Sequence, residues 1–281
     1  MITAPFDYEA PESVEEAVRM LHENGEDAKL LAGGHSLLPL MKVRLAAPTV
    51  LVDLRRVPGL QGIQQENGGW RIGSMTRHAD LQDAAELGVV ARAASKIADQ
   101  QVRNRGTIGG SLAHGDPASD LPTVLLALEG SVTARGSSGE RAIAAADLFQ
   151  DYLTTSLAQD EVITDVRLPA LEGYEFGYQK FTRRAEDWAM VGVCALVSRA
   201  ADGTCDDVRI GLTNMGATPL RATAAEDALR GSPLDVSAIA AAAEQAAEGT
   251  DPPGDLNATP DYKRHLARVL TRRAVEEAVS V

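Results

Sequence analysis

The chain has 281 residues, of which 44% are hydrophobic and 24% are charged, and its formal net charge at pH 7 is −13. This length can bury a substantial core and suits two domains, whereas the negative charge argues against a nucleic-acid or anionic-membrane partner. The two cysteines, Cys194 and Cys205, form no metal-ligand spacing, so the chain alone can build neither a structural zinc site nor an iron–sulfur cluster.

The hydropathy pattern predicts a cytoplasmic protein. The first seven residues lack the basic region and the apolar core of a signal peptide. No uninterrupted apolar run approaches the roughly 20 residues that a membrane span needs. We therefore expect no membrane span and no export.

The first fifty residues predict a compact β-α-β-like opening. Residues 13–16 form a capping box, and the helix that follows ends at Asn24-Gly25. Two short apolar runs, residues 29–31 and 49–54, are typical of buried strands. The first of them leads directly into Ala32-Gly33-Gly34-His35-Ser36, which places this glycine pair at the carboxyl end of a strand, where ligands usually bind.

The middle of the chain predicts hairpins, helices and a second glycine pair. A hairpin is expected over residues 60–75, with its turn at Asn67-Gly68-Gly69. Thr76 is expected to cap a helix that runs through Leu87. Further predicted elements are a helix at 89–98, a glycine turn at 106–114 after a basic segment, a helix from Asp120 to Leu128, a second hairpin at 131–144 and a strand at 161–168.

The last part of the chain predicts a small α+β unit after a boundary at residues 169–173. Three strand-like runs, at 174–181, 189–198 and 208–214, are spaced as in an antiparallel meander. Three alanine-rich helices are expected after them, at 224–230, 236–248 and 260–279. Taken together, the elements predict an α+β protein with domains at 1–172 and 173–281.

The two glycine pairs carry the strongest indication of a ligand. Each places adjacent glycines beside a hydroxyl residue, so that backbone N–H groups can converge on an anion with no Cβ in the way. Either segment alone could be only a tight turn, and neither is a G-x-G-x-x-G motif or a P-loop. Together they suggest two lips of one diphosphate site, formed by Ala32, Gly33, Gly34, His35 and Ser36 and by Thr107, Ile108, Gly109, Gly110 and Ser111.

Asp120 adds a carboxylate shortly after the second glycine pair. It could accept hydrogen bonds from ribose hydroxyls, or it could simply favour the positive end of the helix that it opens. Two amide-rich turns and a carboxylate match an adenine dinucleotide better than a free phosphate.

The motifs Ala-Gly-Gly-His-Ser-Leu-Leu-Pro and Thr-Ile-Gly-Gly-Ser-Leu-Ala-His-Gly-Asp-Pro-Ala-Ser-Asp-Leu-Pro resemble those of the FAD-binding medium subunits of the molybdenum hydroxylases. This family includes carbon monoxide dehydrogenase and xanthine dehydrogenase. The resemblance covers essentially the whole chain, including Tyr178-Gln179-Lys180-Phe181. It implies a two-part FAD-binding domain of the PCMH type, followed by a C-terminal domain of antiparallel sheet plus helices.

The resemblance also implies roles for individual residues. The segments 32–36 and 107–111 would hold the pyrophosphate of a non-covalent FAD, with Asp120 on the ribose or adenosine side. Ile163 would pack near the adenine and Lys180 would approach the flavin, although Ile163 could be only a core residue and Lys180 only an exposed strand lysine. For His35 and His114 we favour structural roles over base or covalent-attachment roles. Trp188 either covers the flavin or anchors the domain.

The implied function is electron transfer with no catalytic side chain of its own. The chain would take electrons from a small [2Fe-2S] subunit and pass them to a terminal acceptor, while a large molybdenum-cofactor subunit oxidises the substrate. The resemblance implies a dimer of heterotrimers. The alternative is a free-standing FAD-dependent oxidoreductase that binds its own substrate. That class needs a larger substrate domain than the short, alanine-rich segment after residue 172 provides.

Overall fold

A computed structural model of the chain describes residues 2–280, which begin with a small parallel sheet in the order β1-β3-β2. The helix α1 starts where the Ser13 hydroxyl accepts a hydrogen bond from the Glu16 N–H at 3.1 Å, as the capping box predicts. The expected β-α-β opening is therefore confirmed. Its elements are β1 (Asp7–Glu9), α1 (Val14–Asn24), β2 (Ala28–Leu31), α2 (Leu37–Lys42) and β3 (Val50–Asp53).

A five-stranded antiparallel sheet follows, in the order β4-β5-β10-β6-β7. Both predicted hairpins are confirmed, as β4-β5 and β6-β7. The late strand β10 lies between them and pairs with β5 and β6, so it joins two hairpins that are distant in sequence. The strands are β4 (Ile63–Glu66), β5 (Gly69–Gly73), β6 (Ser131–Gly136), β7 (Gly139–Ala144), the short pair β8 (Phe149–Asp151) and β9 (Thr154–Thr155), and β10 (Val162–Leu168).

Six helices accompany this sheet, and several differ from the expected bounds. Thr76 does not cap a helix, because its hydroxyl is hydrogen-bonded to the backbone of Gly62. The helix starts after Arg77 and ends at Asp83, well short of Leu87. The helices are α3 (His78–Asp83), α4 (Val89–Ala94), α5 (Gln100–Arg103), α6 (Ile108–His114), α7 (Asp120–Ala127) and α8 (Ala145–Leu148).

The remainder of the chain forms a four-stranded antiparallel sheet in the order β11-β12-β13-β14, which confirms the predicted meander. The second of its three helices ends at Ala243, five residues before the expected Glu248. The elements are β11 (Tyr174–Phe181), β12 (Val191–Arg199), β13 (Cys205–Thr213), β14 (Leu220–Arg221), α9 (Thr223–Leu229), α10 (Val236–Ala243) and α11 (Pro260–Val279). No helix within residues 2–280 combines the length and the apolar character needed to cross a membrane.

The C-terminal sheet is buried on both faces. Along β12, Val193 and Ala195 face a core shared with α11, whereas Cys194 and Leu196 face a core shared with α7. The hydroxyl of Thr213 on β13 also donates to that of Thr123 on α7 at 2.8 Å. The last sheet is thus packed directly on the helix that begins at Asp120.

Gly177 of β11 lets α11 approach the sheet closely. A Cβ at this position would overlap the carbonyl oxygen of Ala274 and lie 2.8 Å from its carbonyl carbon. We expect Gly177→Ala to lower the free energy of unfolding by roughly 1–3 kcal/mol, since backbone must move to make room. Urea unfolding measures this, with Glu175→Ala, an exposed change on the same strand, as control. Equal stability of Gly177→Ala and wild type would contradict the close approach.

Candidate functional site

A cavity of about 700 Å³ lies between the parallel sheet, the antiparallel sheet and the edge of the C-terminal sheet. Its volume falls within the roughly 300–1,000 Å³ typical of small-molecule and cofactor sites. Both glycine segments line it, as do Asp120, Ile163 and Lys180. Ile108 does not line the cavity, because its side chain is buried in the hydrophobic core. The structure therefore brings together, around one space, the other twelve residues predicted to bind the cofactor.

The two glycine segments meet at Gly33. A Cβ there would overlap the carbonyl oxygen of Arg105 and lie 2.8 Å from the Cα of Gly106. Only glycine permits this contact, so Gly33 is needed for the two segments to close one wall of the cavity. Gly34 has a φ of 76°, which glycine adopts at little cost, and it turns the chain from β2 towards α2.

The first segment keeps its backbone donors free. Within residues 2–280, the N–H groups of Gly33, Gly34, His35 and Ser36 have no hydrogen-bond acceptor. The carbonyls of Gly34 and Ser36, by contrast, accept bonds from the first turns of α2, at 3.0 and 3.3 Å. Backbone N–H groups are strong donors, and a run of them on one wall suits an anion.

The second segment differs, and the expectation of a free amide run there is wrong. Thr107 is the N-cap of α6, and its hydroxyl and carbonyl accept the N–H groups of Gly110 and Ser111. The N–H groups of Ile108 and Gly109 donate to carbonyls of the segment after β5, at 3.0 and 2.8 Å. This segment is the start of a helix rather than a turn. It shapes the cavity wall, and Ser111 retains a hydroxyl there.

Asp120 and Lys180 form a buried ion pair at the cavity wall. The Nζ of Lys180 lies 2.9 Å from Oδ2 of Asp120 and also donates to the Lys96 carbonyl at 3.0 Å. The Lys180 side chain is only 5% exposed, so the alternative of an exposed strand lysine is wrong. Burial raises the pKa of Asp120 above its usual value, while the Lys180 ammonium and the Tyr178 hydroxyl oppose that rise.

Two further polar residues of the wall, Ser74 and His78, were not found from the sequence. The Oγ of Ser74 and the Nδ1 of His78 are buried without a hydrogen-bond partner. Burial lowers the pKa of His78 to about 4, so this imidazole is neutral at pH 7. Their place in the chain could have indicated a role at the site, because the segment that contains them follows the carboxyl end of β5 and contacts the second glycine segment.

His35, His114 and Trp188 line the same cavity and differ in exposure. His35 is exposed, and its Nδ1 lies 3.1 Å from the Gly33 carbonyl oxygen. His114 is half-buried, which lowers its pKa. Trp188 is 55% exposed although it borders the cavity. Among residues 2–280 there is no group of three His, Cys, Asp or Glu side chains arranged to hold a metal ion.

The wall fits a dinucleotide cofactor. The free N–H groups of the first segment suit a pyrophosphate, and the Asp120–Lys180 pair supplies charge at another part of the wall. Apolar side chains of the same wall suit aromatic rings, and they include Leu30, Leu37, Ile97, Val162 and Ile163. The buried polar atoms of Ser74 and His78 are further candidates to approach such a ligand.

Comparison with known proteins decides the family. A family model described as the FAD-binding domain in molybdopterin dehydrogenase matches residues 4–171, and one described as the CO dehydrogenase flavoprotein C-terminal domain matches residues 176–278. The chain belongs to this flavoprotein family. The resemblance seen in the sequence is thereby confirmed: the chain is the FAD-binding subunit type of the molybdenum hydroxylases, which are oxidoreductases.

Individual relatives agree with this assignment over their full length. The carbon monoxide dehydrogenase medium chain of Hydrogenophaga pseudoflava is 43% identical and is matched over 99% of this chain and 98% of its own. The 6-hydroxypseudooxynicotine dehydrogenase complex subunit alpha of Paenarthrobacter nicotinovorans is 40% identical and is matched over 98% of this chain and 94% of its own. Solved structures of the Hydrogenophaga pseudoflava enzyme and of quinoline 2-oxidoreductase from Pseudomonas putida 86 give TM-scores of 0.96 and 0.95, covering 100% of this chain and 99% of each matched chain, at 43% and 34% identity.

The contact at Gly33 gives a direct test of the cavity wall. We expect Gly33→Ala to lower the free energy of unfolding by roughly 1–3 kcal/mol and to reduce the flavin that the purified protein retains, because the added methyl group separates the two segments. Gly203→Ala is the control for an added methyl group alone, since a Cβ at Gly203, with its φ of 87°, would meet open space and Gly203 does not line the cavity. Absorbance at 450 nm per chain measures the flavin. Full flavin retention by Gly33→Ala would contradict the role of the contact.

His78 predicts acid sensitivity of the flavin-free chain. Its pKa of about 4 in the folded state lies below the ordinary 6.5, so the unfolded chain binds the proton first. This contribution to stability is complete above about pH 6.5 and is lost as the pH falls towards 4, with a total on the order of 3 kcal/mol. Urea unfolding at pH 7, 6 and 5 should show a weaker pH dependence in His78→Gln. The exposed His265→Gln variant should keep the wild-type slope, and an unchanged slope in His78→Gln would refute the assignment.

Proposed function

We propose that the chain holds one non-covalent FAD in this cavity and passes electrons from the iron–sulfur clusters of a partner subunit to a terminal acceptor. The observation that carries the proposal is the run of four free backbone N–H groups at Gly33–Ser36 on the wall of a cofactor-sized cavity, in a chain of this family. When bound, FAD supplies the redox chemistry, and the protein contributes binding and orientation.

Each part of the wall has a proposed task. The first glycine segment would hold the pyrophosphate through its N–H groups, and Gly109, Gly110 and Ser111 of the second would border it. Asp120 would serve the ribose or adenosine side. Ile163 would pack against the adenine. Lys180 would lie towards the flavin, with its charge balanced by Asp120.

The protein needs no acid or base of its own for this task. Asp120, the buried carboxylate at the cavity wall, is engaged by Lys180 and Tyr178, and His78 is held neutral by its burial. Both oxygens of Asp120 are thus engaged in holding its position. This arrangement supports electron transfer over a free-standing oxidoreductase.

We propose that the partners are a large molybdenum-cofactor subunit and a small [2Fe-2S] subunit, assembled as a dimer of heterotrimers in the cytoplasm. By their names, the relatives act on carbon monoxide, 6-hydroxypseudooxynicotine and quinoline. Despite the different substrate, the matched chain of the quinoline enzyme superposes on this chain with a TM-score of 0.95. A flavin subunit of one shape thus serves different substrates, which supports substrate choice in the large subunit. We further propose a domain boundary at residue 172, in the segment between β10 and β11.

The mode of flavin binding is tested on the purified protein. Acid precipitation should release yellow flavin into the supernatant, and nucleotide analysis should identify it as FAD, one per chain. Flavin that stays with the precipitate would contradict non-covalent binding, and FMN would contradict the dinucleotide site.

The place of the chain in the electron path is tested in the assembled complex. After removal of FAD, turnover with the physiological acceptor should stop, while substrate should still reduce the iron–sulfur clusters because they lie upstream. Stopped-flow absorbance separates the two steps, with carbon monoxide, 6-hydroxypseudooxynicotine and quinoline as trial substrates. Substrate oxidation by the isolated chain, or clusters that stay oxidised in the flavin-free complex, would overturn the proposal.

A further inference from the structure

A buried tyrosine lies directly behind the cavity wall. The side chain of Tyr178 is almost fully buried and does not border the cavity, but its hydroxyl donates to Oδ1 of Asp120 at 2.5 Å. The other oxygen of the same carboxylate, Oδ2, receives the Lys180 ammonium at 2.9 Å. Both oxygens of Asp120 are therefore held, each by a different side chain.

The two residues that hold Asp120 come from one strand. Tyr178 and Lys180 are two residues apart on β11, so their side chains project from the same face of the sheet. Asp120 belongs to the first turn of α7, before the predicted boundary, whereas β11 lies after it. Through this cluster the C-terminal sheet fixes the geometry of a wall that the first part of the chain builds.

The hydroxyl of Tyr178 is the neutral donor that Asp120 needs. A carboxylate in such a buried place is costly unless its oxygens are paired. Burial and the nearby Asp120 charge raise the pKa of Tyr178 well above 10, so the hydroxyl keeps its proton and donates. The other titratable groups near Tyr178 do not compete for this hydrogen bond. Burial raises the pKa of the Cys194 thiol to about 12, and Glu277 of α11 accepts the backbone N–H of Tyr178 at 3.1 Å.

We propose that Tyr178 is a positioning residue for cofactor binding. Its hydroxyl fixes the Asp120 carboxylate, and the fixed carboxylate in turn holds the Lys180 ammonium at the cavity wall. The inference rests on the proposed function, since it takes this cavity as the FAD site. It adds a residue that does not itself reach the cavity.

The test compares two tyrosines of the same strand. Tyr174 also lies on β11, on the same face as Tyr178, and its hydroxyl donates to Asp207 at 2.6 Å, but it does not border the cavity or contact Asp120. FAD is titrated onto the flavin-free full-length chain, and binding is followed by flavin fluorescence. Tyr178→Phe should raise the Kd for FAD at least about tenfold, because one oxygen of a buried carboxylate loses its partner. Tyr174→Phe should stay within about twofold of wild type.

A second measurement separates positioning from a general structural effect. The Tyr178 hydrogen bond favours the ionised form of Asp120. When the pH is lowered, Tyr178→Phe should therefore lose its affinity for FAD at a higher pH than wild type does. The other titratable side chains that line the cavity are present in both proteins and cancel in the comparison. They are Lys29, His35, His78, His114, Glu161, Glu186 and Asp187. In an Asp120→Asn background, Tyr178→Phe should cause no additional loss of affinity.

The outcomes are distinct. Wild-type protein that takes up no FAD would overturn the proposed function, and this inference with it. Normal FAD uptake by wild type and an unchanged Kd and pH midpoint in Tyr178→Phe would overturn the inference alone. An equal loss in Tyr174→Phe, or a full loss from Tyr178→Phe in the Asp120→Asn background, would also overturn it, since the effect would then follow from the stability of β11.

Discussion

The cavity depends on one backbone contact, where Gly33 lies against Arg105 and Gly106. The two chain segments come from different parts of the fold, one from the end of β2 and the other from the approach to α6. Nothing larger than a hydrogen atom fits between them at this point. The contact holds the two segments together at the cavity wall, and within residues 2–280 the N–H groups of the first segment have no acceptor there.

Another part of the wall, at Asp120 and Lys180, depends on charge rather than on shape. Asp120 and Lys180 are both removed from solvent, and such pairs are stable only when the remaining lone pairs and protons are also satisfied. Tyr178 and the Lys96 carbonyl meet this requirement. A cofactor can therefore meet two kinds of surface in one cavity, neutral backbone donors and a compensated ion pair.

The sequence predicted most elements of the fold because their signals are local. The capping box at Ser13, the hairpin turns and the short apolar runs each depend on neighbours in the chain, and these predictions were confirmed. The errors arose where contacts with residues distant in sequence determine the local structure. Thr76 carries a good capping side chain, but its hydroxyl is hydrogen-bonded to the backbone of Gly62 instead. The second glycine pair looked like an open turn, whereas Thr107 and the segment after β5 take its N–H groups and make it a helix.

The same distinction explains which site residues were found. The glycine segments, Asp120 and Lys180 belong to contiguous motifs that a resemblance can transfer residue by residue. Ser74 and His78 belong to no such motif, and their importance comes from burial without a partner, which only the packing of β5, α3 and α6 creates. Tyr178 was visible in the motif that carries Lys180, but its partner Asp120 lies 58 residues earlier, so no local pattern could reveal the bond. A motif can therefore locate the side chains that face a cofactor, while those that hold them in place are set by the tertiary fold.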